Sequence, residues 1–343
     1  MMFANSLLAL ASVISLAFAS PLQHAHRATN HTGLPLPAKV IFQFNQTGTW
    51  FENLAVRPNG DLVLTSLTPT ASVWTLKRPY TPHPEFALLH TFMETPGLVG
   101  IAETKPDTFV MLAAEFVGSA DPVPGSYSIW ELSLRGTSPA TRKISNLTEV
   151  QLGNGVASVP SCKGDVVLIG DSFAGSLWRL NTTSGAHESV MAVAQMAAPA
   201  GAALPIGING LKVHDGYVYW SNSATVTIYR SKIDKNGYPV ANATIETIAT
   251  LDSPFVDDFA FDEQGLIWAA TNSDNKVDVV RPNGSYETVV GGANEDIVGG
   301  DTAVAFGRTL QDRNILYVTT SGTLPNNRTE PAKIVAVNRA GFH

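Results

Sequence analysis

Trp50-Phe51-Glu52-Asn53-Leu54-Ala55-Val56-Arg57-Pro58-Asn59-Gly60-Asp61-Leu62-Val63-Leu64-Thr65 reads as an apolar strand, a Pro-Asn-Gly turn and a second strand in which apolar and polar residues alternate. Asn-Gly supplies the positive φ angles of a two-residue turn, so the stretch predicts a tight antiparallel hairpin. A carboxylate, Glu52, stands at its start among aromatic and apolar neighbours. The same arrangement returns along the chain.

The first unit continues through strands at 72–76 and 86–92, and equivalent units start at Val99, Asn154, Asn209, Asp257 and Gly300, 43 to 55 residues apart. Five units carry four short strands, whereas the sixth has three, at 300–306, 315–320 and 334–337. That period and strand count predict an all-β fold, a six-bladed β-propeller, and not a helical solenoid. Residues 40–44 form a strand with no neighbouring hairpin partner. They are expected to complete the last blade and so close the ring. The aromatic residue of each third strand (Trp74, Trp130, Trp178 and Tyr229) is expected to pack between blades.

Residues 1–19 read as a cleavable signal peptide, with an apolar run at 7–18 too short to span a bilayer and Ala17-Phe18-Ala19 before Ser20. A flexible leader over 20–38 and a single propeller domain over 39–343 follow. Seven Asn-x-Ser/Thr sequons, at Asn30, Asn45, Asn146, Asn181, Asn242, Asn283 and Asn327, agree with a secreted glycoprotein. The one cysteine, Cys162, lies in a turn without a basic neighbourhood, so the fold must rest on its own core. Charged residues make up 15% of the chain, the net charge is −7 and no Lys/Arg block occurs. These features argue against nucleic acid and anionic membranes as partners, and no second apolar run is long enough to span a bilayer.

In a propeller the first strand of every blade lines the central channel, so residues at its start converge from distant parts of the chain. The matched positions are Glu52, Val99, Asn154, Asn209, Asp257 and Gly300. Four bear oxygen and none is basic, which suits a hard divalent cation such as calcium, with water or a polar ligand as the other occupant. Asp258 and Asp301 come one residue later and need not face the channel. Strand starts follow turns, where Asn and Asp are common, so only the repetition across four blades is informative.

Glu52-Asn53-Leu54, Asn154-Gly155-Val156, Asn209-Gly210-Leu211 and Val256-Asp257-Asp258 resemble, in the same blade order, the motifs of the gluconolactonase, senescence-marker and luciferin-regenerating propellers. The resemblance implies one divalent ion held by Glu52, Asn154, Asn209 and Asp257, and no organic cofactor. It covers essentially the whole mature chain, though each motif is short. Glu52 and Asp257 lack the Pro and Gly that flank their counterparts, which separates this chain from typical lactonase loops. The string 51–60 is more similar to a fungal, secreted branch of secondary metabolism. That branch includes hetero-Diels–Alderases that join a tropolone quinone methide to a macrocyclic terpene.

No Gly-x-Ser-x-Gly elbow, His-Glu-x-x-His, phosphate-binding loop or zinc spacing occurs. His214 belongs to a hairpin turn, and His83 and His90 fall in outer-strand territory of blade one. Three functions stay open. A hetero-Diels–Alderase would take a polyketide or terpenoid substrate, with Asn154 and Asn209 orienting an oxygen. A metal-dependent lactonase would use Glu52 or Asp257 for proton transfer. A non-catalytic binding propeller would need neither. Trp50, Phe51 and Phe255 flank the two carboxylates and offer either an apolar wall or core packing.

Overall fold

A computed structural model describes residues 33–117 and 121–342. Six four-stranded antiparallel sheets are arranged as blades around an axis. Their innermost strands are Trp50–Val56, Gly97–Lys105, Gly153–Ser158, Ile208–His214, Phe259–Phe261 and Asp301–Phe306. Each packs beside the next in chain order, and the sixth returns to the first. The signal-peptide region and Asn30 lie outside the described residues.

The sixth blade contains strands from both ends of the chain. Ala38–Gln43 is its outermost strand and pairs antiparallel with Lys333–Asn338, from Ala38 opposite Val337 to Gln43 opposite Lys333. The strand expected at 40–44 therefore closes the ring where the sequence placed it. Leu36 extends the closure, its N–H donating to Val289 O of blade five at 2.7 Å.

The core consists of apolar layers between blades, because each sheet has two faces and both are covered. Trp74 packs with Phe51, Leu64 and Tyr317 at the seam of blades six and one. Trp130, Trp178 and Tyr229 pack against three other inter-blade layers, as expected. At one end of the channel Arg308 donates to Val56 O at 2.7 Å and to the Glu103 carboxylate, joining blades six, one and two. The strand starts stand at the other end.

Candidate functional site

Every innermost strand is bulged at its start. Asn209 and Gly210 together face Ser221, since Ile208 pairs with Asn222 and Leu211 with Trp220. The same two-against-one pairing sets Glu52-Asn53 against Thr65, Val99-Gly100 against Leu112, and Asn154-Gly155 against Gly170. In blade five the N–H of Asp257 and the carbonyl of Asp258 both bond Ala270, at 2.8 and 2.9 Å. A bulge turns a side chain out of the alternation of its strand. The first bulged residue of each blade is therefore the one delivered to the channel. Blades approach so closely here that a Cβ on Gly155 would lie 2.3 Å from Asn209 O, and one on Gly210 2.8 Å from Asp257 O. The glycine of each Asn-Gly pair is thus required by its neighbouring blade.

Blade six corrects the sequence reading. Gly300 (φ +67°) belongs to the preceding turn, and Asp301 pairs with Thr320, so the bulge falls on Thr302-Ala303 opposite Thr319. The ring is Glu52, Val99, Asn154, Asn209, Asp257 and Thr302. The Thr302 hydroxyl donates to Phe51 O at 2.7 Å, which commits it to the seam between blades.

The four candidate residues are brought together, and three are each held by one atom. Glu52 Oε2 accepts the Trp50 indole N–H at 2.6 Å. Asp257 Oδ2 accepts Asn272 Nδ2 at 2.9 Å. Asn209 Nδ2 donates to Ser223 Oγ at 3.0 Å, and that hydroxyl donates to Val256 O at 2.7 Å. Each bond fixes a rotamer and leaves one side-chain oxygen (Glu52 Oε1, Asp257 Oδ1 or Asn209 Oδ1) without a hydrogen-bond partner among the described residues. Asn154 is half-buried, and its amide makes no side-chain hydrogen bond among the described residues.

Burial works against ionising both carboxyls. It pushes Glu52 up to about 7, with Asp258 adding in the same direction and the Trp50 bond opposing. Asp257 is raised well above the ordinary carboxylate range, by burial first and then by the charge of Glu52, against the bond from Asn272. A hard cation would relieve this repulsion, and the free oxygens are of the type it prefers. Among the described residues no three His, Cys, Asp or Glu side chains form a metal-holding cluster. A cation here would therefore need the amide oxygens of Asn154 and Asn209 as well as the carboxylates. The donor set fits such an ion.

Directly below the ring lies a layer that sequence reasoning missed. Asp258, which by sequence need not face the channel, accepts Lys212 Nζ at 2.5 Å, Phe259 N–H at 2.8 Å and Asn53 Nδ2 at 3.1 Å. Those three donors come from blades four, five and one, so the carboxylate bridges the channel. Asp301 does face away: its Oδ2 accepts Thr271 N–H at 2.9 Å. A signal for Lys212 was available. Three residues beyond each first bulge position the other five blades carry Ala55, Ala102, Ala157, Ala260 and Ala305. The lysine occupies the one departure from that pattern.

Of the flanking aromatics, Phe51 is fully buried in the seam and Phe255 is buried, whereas Trp50 is partly open and holds Glu52. His214 stacks on Phe261, with ring centroids 4.2 Å apart, beside the turn at Asp215 and far from the ring. Asn45, Asn146, Asn242, Asn283 and Asn327 are exposed, and Asn181 is half-buried.

Residues 206–322, the segment that carries Asn209 and Asp257, match the model of the SMP-30/gluconolactonase/LRE-like region. A candidate hetero-Diels–Alderase, asR5, of Sarocladium schorii is 34% identical over 346 aligned positions, covering 90% of this chain and 85% of its own. A candidate hetero-Diels–Alderase of a Phoma species is 34% identical over 334 positions, covering 90% and 92%. Among solved structures, a luciferin-regenerating enzyme superposes with a TM-score of 0.62 at 14% identity, over 89% of this chain and 96% of that one. That likeness shows a shared propeller fold.

Proposed function

The chain belongs to the family of these hetero-Diels–Alderase relatives, within the SMP-30/gluconolactonase/LRE-like propellers, and from this premise we propose that it joins a heterodiene to an alkene at the mouth of its channel. The heterodiene is an α,β-unsaturated carbonyl, such as a tropolone quinone methide, and the alkene is a terpene hydrocarbon. In the step, O=C–C=C adds across C=C. One C–O and one C–C bond form, three π bonds become one, and no proton or electron pair leaves.

Such a reaction needs no nucleophile. It needs two reactants held in register, and orientation can contribute up to about 7–11 kcal/mol in favourable cases. It is further assisted by hydrogen bonds to the carbonyl oxygen of the heterodiene, which draw electron density from it as the C–O bond forms. Asn154 is suited to donate, since its amide has no side-chain partner among the described residues. Glu52, with its proton affinity raised to about 7, is a second donor in its protonated form. Trp50 and Asn272 keep the two carboxyls oriented.

A calcium ion is the other occupant we propose for these oxygens, and it needs Glu52 as the carboxylate, so the protonated donor role belongs to the ion-free ring. Glu52, Asn154, Asn209 and Asp257 would hold it through oxygen, and it would supply Lewis-acid polarisation of the carbonyl. Secretion is proposed with it, supported by the signal-like 1–19 and by five exposed sequons. A mature protein beginning at Ser20 and shortened in mass by a glycosidase would bear this out.

The observation that carries the functional reading is the identity to hetero-Diels–Alderase relatives along 90% of the chain. Incubation with humulene and a hydroxymethyl-tropolone precursor, which loses water to give the quinone methide before the addition, is expected to give one stereoisomer faster than buffer does. A racemic product at the buffer rate, with lactone hydrolysis that Glu52→Gln abolishes, would replace this reading with a lactonase.

A further inference from the structure

Ser223 follows the second strand of blade four, Tyr217–Asn222, and is 1% exposed. A serine hydroxyl has one proton to give. Ser223 gives it to Val256 O at 2.7 Å, the only hydrogen bond to that carbonyl among the described residues. Its remaining capacity is that of an acceptor. The Asn209 amide beside it must therefore present Nδ2, at 3.0 Å, and turn Oδ1 toward the channel. The opposite orientation would set oxygen lone pairs against oxygen lone pairs, or take the proton from Val256 O and leave a buried carbonyl unpaired.

Blade three has the same staple with a different outcome. Ser172 takes the place of Ser223: it follows Asp171, which pairs with Gly153 as Asn222 pairs with Ile208. Its hydroxyl donates to Ile208 O, just before Asn209, as that of Ser223 donates to Val256 O, just before Asp257. Asn154, however, makes no side-chain hydrogen bond among the described residues and is half-buried, whereas Asn209 is 2% exposed. Asn154 is free to turn either end of its amide to a ligand. Asn209 offers an acceptor only, and an amide oxygen at this depth calls for a donor or a cation.

We infer that Ser223 is a positioning residue that makes Asn209 a fixed acceptor, so that the oxygenated reactant meets Asn209 through an O–H and leaves its carbonyl to Asn154 of the neighbouring blade. The identity of the reactant rests on the coupling reading, whereas the polarity of Asn209 does not. An α-hydroxy enone satisfies both amides. Its methyl ether satisfies Asn154 alone and sets an ether oxygen against Asn209 Oδ1. The same orientation suits an ion, so discrimination between hydroxyl and ether belongs to the ring without one.

The test uses the full chain, its Ser223→Ala variant and two probes, tropolone and its O-methyl ether, in mildly acidic buffer with a chelator, where tropolone keeps its O–H. Equilibrium dialysis is expected to show the wild type binding tropolone at least about tenfold more tightly than the ether, against which the buried acceptor stays unpaired. In Ser223→Ala the amide can turn Nδ2 to the ether oxygen, and the ratio is expected to fall to about threefold or less. A merely structural role would weaken both probes alike and leave the ratio where it was. If circular dichroism shows that Ser223→Ala does not fold, Asn209→Ala takes its place with the same fall expected, since the acceptor itself is gone. An unchanged ratio in the folded variant overturns the inference, as does a wild type that binds neither probe or both equally. A fall in the ratio, with no coupling by the wild type, retains the role of Ser223 and removes the reaction.

Discussion

Lys212 Nζ lies 2.5 Å from Asp258 Oδ1, at the one place among six inner strands where alanine is replaced. Asp258 is almost completely buried, so its charge depends on that ammonium and on Asn53 Nδ2 at 3.1 Å. Lys212→Met should therefore destabilise the protein by about 3 kcal/mol, the low end of the range for breaking a buried pair, since the lysine keeps partial solvent access. Adding Asp258→Asn should recover most of the loss, because the unpaired charge goes with it. Urea unfolding of the two variants measures this; equal stability of single and double variants would refute the pairing.

Asp301 gives a pH signature of opposite origin. Its Oδ1 has no partner among the described residues, and burial, then the charges of Asp274 and Asp278, raise its proton affinity against the bond from Thr271 N–H. The folded state then binds a proton that the unfolded chain releases near its ordinary value of about 3.9. Stability is highest below that value and falls as pH rises toward the folded pKa. Asp301→Asn keeps an acceptor for Thr271 and removes the charge. It should melt higher than the wild type at pH 7 and level with it at pH 3.5. A variant less stable at both pH values would contradict the sign.

Ring closure is testable by truncation. A chain beginning at Asn45 loses the pairing of Ala38–Gln43 with Lys333–Asn338 and the Leu36 bond to blade five. It leaves an open edge and an uncovered seam. The melting temperature should drop by about 10 °C or more, since each 1 kcal/mol is about 2–4 °C in a domain of this size. Unchanged melting would mean that blade six is complete without its N-terminal strand.

The architecture was legible because its causes are local and repeated. Asn59-Gly60 and His214-Asp215-Gly216 mark equivalent turns, and the aromatics at 74, 130, 178 and 229 mark equivalent seams. The matched strand-start positions of Glu52, Asn154, Asn209 and Asp257 were legible for the same reason. Blade six was misaligned because its bulge shifts the register by two residues after Gly300, and no residue type announces a bulge. The place of Asp258 was left open because alternation along a strand fails at a bulge. Its partners Lys212 and Asn53 are 46 and 205 residues away, and sequence neighbours hold no record of that meeting. The hold of Trp50 on Glu52 escaped notice because two residues apart on a regular strand need not touch.

Glu52→Gln should change stability in opposite directions with and without calcium. Without the ion, the wild-type carboxyl carries a folded pKa of about 7 against an ordinary 4.5, so stability is lost as pH rises between these values and the full cost is present at pH 8. Gln cannot ionise, and its carbonyl can still accept the Trp50 N–H. At pH 8 in a chelator the variant should therefore melt at or above the wild type. With calcium the order reverses. An ion bound at a hundred times its dissociation constant stabilises the wild type by about 2.7 kcal/mol, whereas the variant has lost one anionic ligand. Melting curves at pH 8 with chelator and with calcium, repeated for Asn272→Ala, separate the ion from the fold. The Asn272 side chain donates to Asp257 Oδ2, so its loss should weaken the calcium response without abolishing it. If the wild type and Glu52→Gln keep the same order in both buffers, the ring is a polar channel mouth and the carboxyls act on the substrate directly.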